Sequence, residues 1–379
     1  MATGRIPTTA NSPLTAKGDL FTFSTGSAKL AVGSNGDTLV ADSAATTGLS
    51  WSPSFGFSAG KNKIINGDFN INQRAFSSVT ANGTYTFDRF VTNFSGGTVT
   101  FTPQTFTPGA APVSGYEATN FLQIVTSGQS ASNYASIGQK IENVRTFAGQ
   151  TVTLSFWAKA TSGTPKIGWY ALQNFGSGGS SAAAAYAGYT ENLSSSWARY
   201  SITYAVPSIS GKTIGTSSSF DNYLMVSDGA GTQGIQNNTF QIWGVQIENG
   251  STATAFQTAT GTLQGELAAC QRYYWNLAGD NQYVGIGYNQ SATEMNVGIV
   301  NPVAMRTVPT LTVATGTNYY GFKRNGADDN FNSLSSTASF ASVTGQMLFN
   351  SSEISGTAGQ AGTVRTNNAS AKIEFSSEL

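Results

Sequence analysis

Val152-Thr153-Leu154-Ser155-Phe156-Trp157-Ala158 alternates with period two: Val152, Leu154, Phe156 and Ala158 point one way, Thr153, Ser155 and Trp157 the other. This is the pattern of a strand that lays one face on a core. Tyr200, Ile202, Tyr204 and Val206, set against Arg199, Ser201 and Thr203, repeat it. In Phe240-Gln241-Ile242-Trp243-Gly244-Val245-Gln246-Ile247-Glu248 the apolar positions pass from even to odd after Ile242, which predicts a bulge near Gly244. Asn-Gly pairs at 35–36, 66–67, 82–83, 249–250 and 325–326 tolerate the positive φ of tight hairpin turns. Short alternating runs between frequent turns predict a mainly β chain built as a sandwich or barrel.

One short helix is predicted, Glu266-Leu267-Ala268-Ala269-Cys270-Gln271-Arg272-Tyr273-Tyr274, with Leu267, Cys270 and Tyr274 on one stripe. It follows a loose segment, 251–265, and opens a new unit. Three parts result: a small N-terminal β element at 1–60, a sandwich at 61–260, and a smaller β domain at 261–379. The first has too little apolar surface to fold alone, so association with copies of itself or with another protein is expected.

Composition narrows the function. Lys+Arg 19 balances Asp+Glu 19, so no field draws the chain to nucleic acid or to an anionic membrane. Charged residues make up only 10% and Gly numbers 43, so the surface takes its polarity from hydroxyls and amides. Aromatic residues at 12% demand a packed core. The absence of histidine removes the Ser-His-Asp and Cys-His constellations and most catalytic zinc sites. Cys270 is the one cysteine, which excludes an intrachain disulfide and a cysteine metal cluster; it reads as a small buried apolar residue. Met1-Ala2-Thr3-Gly4-Arg5-Ile6-Pro7 lacks the apolar run of a secretory leader, and no stretch is long enough to span a membrane. A chain made in the cytoplasm and carried on the surface of a released particle is the expectation.

Longer motifs add a resemblance. Lys63-Ile64-Ile65-Asn66-Gly67-Asp68-Phe69-Asn70-Ile71-Asn72-Gln73-Arg74 is followed by Thr86-Phe87-Asp88-Arg89-Phe90, Phe156-Trp157-Ala158-Lys159-Ala160, Gln173-Asn174-Phe175-Gly176-Ser177-Gly178-Gly179-Ser180 and Ser196-Trp197-Ala198-Arg199-Tyr200. Val245-Gln246-Ile247-Glu248-Asn249-Gly250, the Glu266 to Trp275 segment and Met305-Arg306-Thr307-Val308-Pro309-Thr310 come next. In this order they resemble bacteriophage tail fibre and other virion proteins with a carbohydrate-binding-module-like jelly roll. Lys17-Gly18-Asp19-Leu20, with Val32-Gly33-Ser34-Asn35-Gly36, resembles a head or tail fibre attachment element. The pattern departs at Phe256-Gln257-Thr258, read as an altered linker. The resemblance implies a homotrimer docked on other virion proteins through residues 1–60.

Sugar recognition needs flat aromatic faces with amides and carboxylates beside them. In Ile167-Gly168-Trp169-Tyr170-Ala171-Leu172-Gln173-Asn174-Phe175, Trp169 and Gln173 share one strand face and Tyr170 and Asn174 the other, while Tyr186 and Tyr189 fall in a Gly/Ala/Ser loop. These six residues are the glycan-binding candidates. The competing reading places Trp169 and Phe175 in the core with the tyrosines capping it. Trp157 and Trp243 read as core anchors. Tyr273-Tyr274-Trp275 with Tyr319-Tyr320 form either a second aromatic patch or an interface. Asp328-Asp329 reads as a solvated loop and Asp88-Arg89 as a local pair. Gly176-Ser177-Gly178-Gly179-Ser180 lacks the Lys-Ser/Thr ending of a phosphate loop. No enzyme signature, cofactor or metal site emerges. The expected role is a short phage fibre or spike that binds host-surface polysaccharide; the alternative is a capsid decoration or head fibre protein with no essential ligand.

Overall fold

A computed structural model describes residues 13–33, 37–53 and 59–379, the side chains of 52–53 and 186–190 excepted. Two compact units result, Met1–Ser58 and Ala59–Leu379. In the first, β1 (Leu20–Phe23) pairs with β2 (Ser27–Leu30) and β3 (Asp37–Ala41) with β4 (Leu49–Pro53), both antiparallel. Asp19 fixes the entry to β1: its carboxylate accepts the Thr15 and Ala16 N–H groups, which hold it at about 2. Phe21 and Phe23 stay exposed in this unit.

The second unit opens with a jelly roll. Its strands are β5 (Val91–Ser95), β6 (Thr98–Thr105), β7 (Asn120–Ser127), β8 (Tyr134–Glu142), β9 (Thr151–Ala160), β10 (Lys166–Asn174), β11 (Ala183–Asn192), β12 (Ala198–Ala205), β13 (Ser219–Asp228) and β14 (Thr239–Asn249). They form two five-stranded antiparallel sheets, ordered β11-β10-β13-β8-β5 and β12-β9-β14-β7-β6. Val152, Leu154, Phe156 and Ala158 do face the core, against Ile137, Trp169, Phe220 and Leu224 of the first sheet. The predicted bulge in β14 lies where expected: Gly244 has φ +64°, and the pairing with β9 shifts between Trp243 and Gln246. A Cβ at Gly244 would sit 2.8 Å from the Trp157 ring, so the position must be bare.

The other face of the second sheet is also covered. Trp157 and Trp243 stand opposite each other in register, and Tyr116 and Phe256 pack tilted against the Trp243 ring. Phe106 meets Trp197 and Trp243 in the same layer. Phe256 therefore belongs to a packed aromatic layer and not to a linker. Segment 251–265 is not loose either, because the buried Glu248 carboxylate accepts Thr254 N–H and Oγ1–H, and Gln246 accepts Gln257 N–H.

The helix α1 (Leu263–Gln271) is capped by Thr262, whose hydroxyl accepts the Gly265 N–H. It ends earlier than predicted, so Tyr274 leaves the stripe and starts β15 (Tyr274–Ala278); the residues α1 buries are Glu266 and Cys270. Then come β16 (Tyr283–Asn289), β17 (Met295–Val300), β18 (Thr310–Val313), β19 (Tyr320–Arg324), β20 (Ala327–Phe331), β21 (Ser335–Ala341), β22 (Gly345–Asn350), β23 (Ala361–Thr366) and β24 (Ile373–Ser376). Sheets ordered β15-β24-β18 and β20-β19-β23-β16-β17-β22-β21 enclose a second core that includes Val297, Tyr320, Phe322, Leu348 and Phe375. Asn325 (φ 37°) and Gly326 (φ 76°) turn β19 into β20 as a two-residue hairpin. Asp328 and Asp329 lie in β20, not in a solvated loop, because each is drawn to an arginine: Asp329 to Arg324 at 2.8 Å and Asp328 to Arg365.

A clasp joins the two cores, and the motifs quoted above build it. Asn66 (φ 60°) donates its backbone N–H to Glu266 of α1, and its side chain pins Ile71 and Asp88. Gly67 passes under β14, where a Cβ would lie 2.1 Å from the Val245 carbonyl oxygen. Asp88 and Arg89 do not pair with each other. Asp88 accepts from Gln73 and stands 3.7 Å from Arg74, whereas the fully buried Arg89 pairs with Glu378 and lies 3.5 Å over the Tyr273 ring. Arg74 stacks on Tyr274 at 3.5 Å and reaches Glu378 at 3.1 Å. Tyr273 and Tyr274 are thus interface residues, and Trp275 and Tyr320 stack within the second core on Phe375 and Phe331.

Candidate functional site

With one outer face of the jelly roll roofed by aromatics, the outer face of the first sheet is left to carry a site. Alternation along its three central strands decides which side chains reach it. Ile137, Phe220, Leu224, Trp169 and Ala171 turn inward, so Tyr223 of β13, Tyr170 of β10 and Gly138 of β8 turn outward. Register then aligns them: Tyr170 stands opposite Tyr223, Tyr223 opposite Gly138, Gly138 opposite Val91, and Val91 is bridged to Tyr85. The bare Gly138 lets the Tyr223 ring lean over β8, since a Cβ there would fall 2.3 Å from its edge. A single row crosses the sheet, with tyrosines at both ends and one in the interior.

The next row toward the strand ends supplies polar groups, Leu172 opposite Asp221 opposite Lys140, followed by Asn174 opposite Ser219 opposite Glu142. Ser219 Oγ donates to Asp221 at 2.5 Å, and Asn174 also bonds the carboxylate. Burial raises Asp221 above the usual carboxylate range, and the Ser219 hydroxyl and Lys140 pull it part of the way back. Burial likewise raises Tyr223, with Asp221, Tyr85, Tyr134 and Tyr170 all close enough to add to it. Tyr85 is raised by burial and then by Glu378. Lys140 Nζ donates to the Leu379 carbonyl at 3.0 Å, and Tyr134 Oη to Asn93 at 3.3 Å. At the other end of the row, Tyr170, Met225, Asp228, Thr232 and Gln233 line a depression of about 270 Å³.

The six sequence candidates divide. Trp169 is 1% exposed and spans the sandwich to meet Tyr204, ring centroids 4.3 Å apart, so it is a core residue, although it also lines the depression beside Tyr170. Gln173 is buried too, its amide donating to the Pro207 carbonyl at 2.9 Å. Tyr170 and Asn174 do lie on the outer face. Tyr186 and Tyr189 lie in β11 and not in a loop, because that segment pairs with β10, and their side chains fall outside the described residues. Tyr85, Tyr134, Tyr223, Asp221 and Lys140 escaped sequence reasoning, although β13 shows the signal: Phe220, Asn222 and Leu224 alternate with Asp221, Tyr223 and Met225.

Partly buried tyrosine rings with the Asn174 amide and Lys140 beside them can stack on sugar C–H faces and bond sugar hydroxyls, while Asp221 and Ser219, 3% and 1% exposed, are buried beneath the row. Among the described residues, no three His, Cys, Asp or Glu side chains are grouped to hold a metal ion. No described helix is long and apolar enough to cross a membrane.

No protein-family model matches the chain, and no curated protein matches its sequence. Among solved structures it is similar to a family 11 carbohydrate-binding module from Clostridium thermocellum in complex with a β-1,3-1,4-mixed-linked tetrasaccharide. That match has 11% identity and a TM-score of 0.28, and covers 47% of this chain and 98% of that one. It is similar to a xylan-binding domain from Paenibacillus barcinonensis at 17% identity, TM-score 0.30, over 46% of this chain and 98% of that one. It is also similar to the enzymatically active domain of tailspike protein 4 from bacteriophage CBA120 at 14% identity, TM-score 0.31, over 50% of this chain but 21% of that one.

Proposed function

We propose that this chain is a structural protein of a phage particle, a short fibre or spike whose jelly roll binds neutral host-surface glycan on the outer face of its first sheet. The row from Tyr170 through Tyr223 to Tyr85, with Asn174 and Lys140 beside it and the buried Asp221 beneath, carries the reading. The motif resemblance supplies the particle, the homotrimer and the attachment role of residues 1–60. The site has no described catalytic partner arrangement, and binding without turnover is the proposed activity.

A glycan array probed with the whole chain tests this. Tyr170→Ala and Tyr223→Ala each lower affinity for the bound glycan by roughly tenfold or more, the size of a buried aromatic contact, while circular dichroism stays unchanged. An array with no hit, or hits indifferent to both substitutions, defeats the reading. One observation favours the capsid decoration alternative: the residues that carry the resemblance go mostly to the clasp and the cores, and of the proposed site they include Asn174 but none of the tyrosines in the row. Locating the protein on the particle separates the two, tail density supporting adsorption and capsid density supporting decoration.

A further inference from the structure

The second core is open along one flank. Strand β18 ends the three-stranded sheet and β21 ends the seven-stranded one, and no described strand pairs with the outer side of either. Between them runs a groove of about 530 Å³, lined by Leu311 and Val313 of β18, by Leu334, Ser336 and Ala341, and by Gln346 of β22. Gln346 is 4% exposed, yet neither Oε1 nor Nε2 meets a hydrogen-bond partner among the described residues. A buried amide left wholly unpaired is rare and destabilising, and a ligand offering one donor and one acceptor relieves it.

The walls say what kind of ligand. None of the lining residues is charged and none is aromatic, so the groove offers neither an ion pair nor a stacking face for a sugar ring. It does offer strand edges. Thr310-Leu311-Thr312-Val313, three of its four residues β-branched, is uncharged along an edge that proteins usually blunt with lysine or proline. Opposite, β21 peels away from β22: Ser336 pairs with Leu348 but Ala341 with Gln346, so residues 337–340 face a single residue, Met347. Phe340 in that detached run and Val308 at the groove's rim are both more than half exposed, a pattern suited to a polypeptide's apolar side chains.

We propose that the groove is a docking site for an extended, uncharged polypeptide segment of at least about four residues, which adds as a strand along β18. A peptide group or an amide or hydroxyl side chain of the segment engages Gln346, and apolar residues on either side meet Val308 and Phe340.

The test uses the full chain against a displayed library of short uncharged peptides, with selected peptides titrated by fluorescence anisotropy into wild type, Gln346→Leu and Thr312→Lys. Gln346→Leu melts no lower than wild type, because no internal bond is lost, yet binds roughly tenfold or more weakly. Thr312→Lys, an exposed change on the edge strand, also weakens binding and leaves the melting temperature in place. Bound peptide slows amide hydrogen exchange at 310–313. The proposal falls if no peptide is selected above the Gln346→Leu background, or if protection appears elsewhere. It falls equally if Gln346→Leu lowers the melting temperature, or if maltohexaose displaces the peptide and itself loses affinity in Gln346→Leu.

Discussion

Arg89 is held by three contacts that no neighbour in sequence supplies: Glu378, the Lys140 carbonyl at 2.7 Å and the Tyr273 ring. Removing the carboxylate leaves a buried cation unpaired. Glu378→Gln therefore lowers stability by about 3–5 kcal/mol, measured by urea unfolding of the 59–379 unit. Asp68 carries the opposite imbalance. Its Oδ2 accepts from Tyr116 and Asn70, but Oδ1 is buried without a hydrogen-bond partner, and burial raises the group above its ordinary 3.8. A carboxyl whose folded value is raised binds its proton more tightly folded than unfolded. Its contribution therefore falls as pH rises from 3.8 through the raised value. Asp68→Asn keeps an acceptor for Tyr116 and flattens that part of the profile; thermal melts of both proteins across the acid range check it, and a variant less stable at neutral pH would contradict it.

At the level of elements, alternation was enough to find the strands and their inward faces. Val152 to Ala158 and Tyr200 to Val206 run as read, and Gly244 carries the bulge. What alternation lacks is the knowledge of what covers the other face. Trp169 and Tyr170 are adjacent aromatics of one strand, and only the pairing of β10 with β13 sends one to the core and sets the other in a tyrosine row. Tyr85 joins that row through a bridge to Val91, and Lys140 through register with Asp221, relations fixed by partners far along the chain. The helix boundary slipped for a related reason, since Tyr273 and Tyr274 stack on Arg89 and Arg74 in place of continuing the stripe. The Asn66-Gly67 pair, a hairpin signal by composition, serves a close approach instead. Gly67→Ala sets a methyl group against the Val245 carbonyl and lowers the melting temperature of this unit, an effect that the same exchange at the open position Gly83 matches only through its positive φ.

Across the whole molecule, balance of charge was the most telling compositional fact. With 19 basic and 19 acidic residues in balance, and Arg74 and Arg89 both paired with Glu378 inside the clasp, little long-range field remains outside. Glycan binding by the tyrosine row accordingly changes little between low and physiological salt, as titration at two ionic strengths reads out; a steep loss with salt would point to an ionic ligand instead. The clasp also sets a schedule. Arg89 and Glu378 are 289 residues apart, so during synthesis the jelly roll is complete in sequence long before the carboxylate that neutralises its buried arginine has been translated. Until then the nascent sandwich carries a buried charge with no counterpart, and its final closure waits for a residue 289 positions downstream.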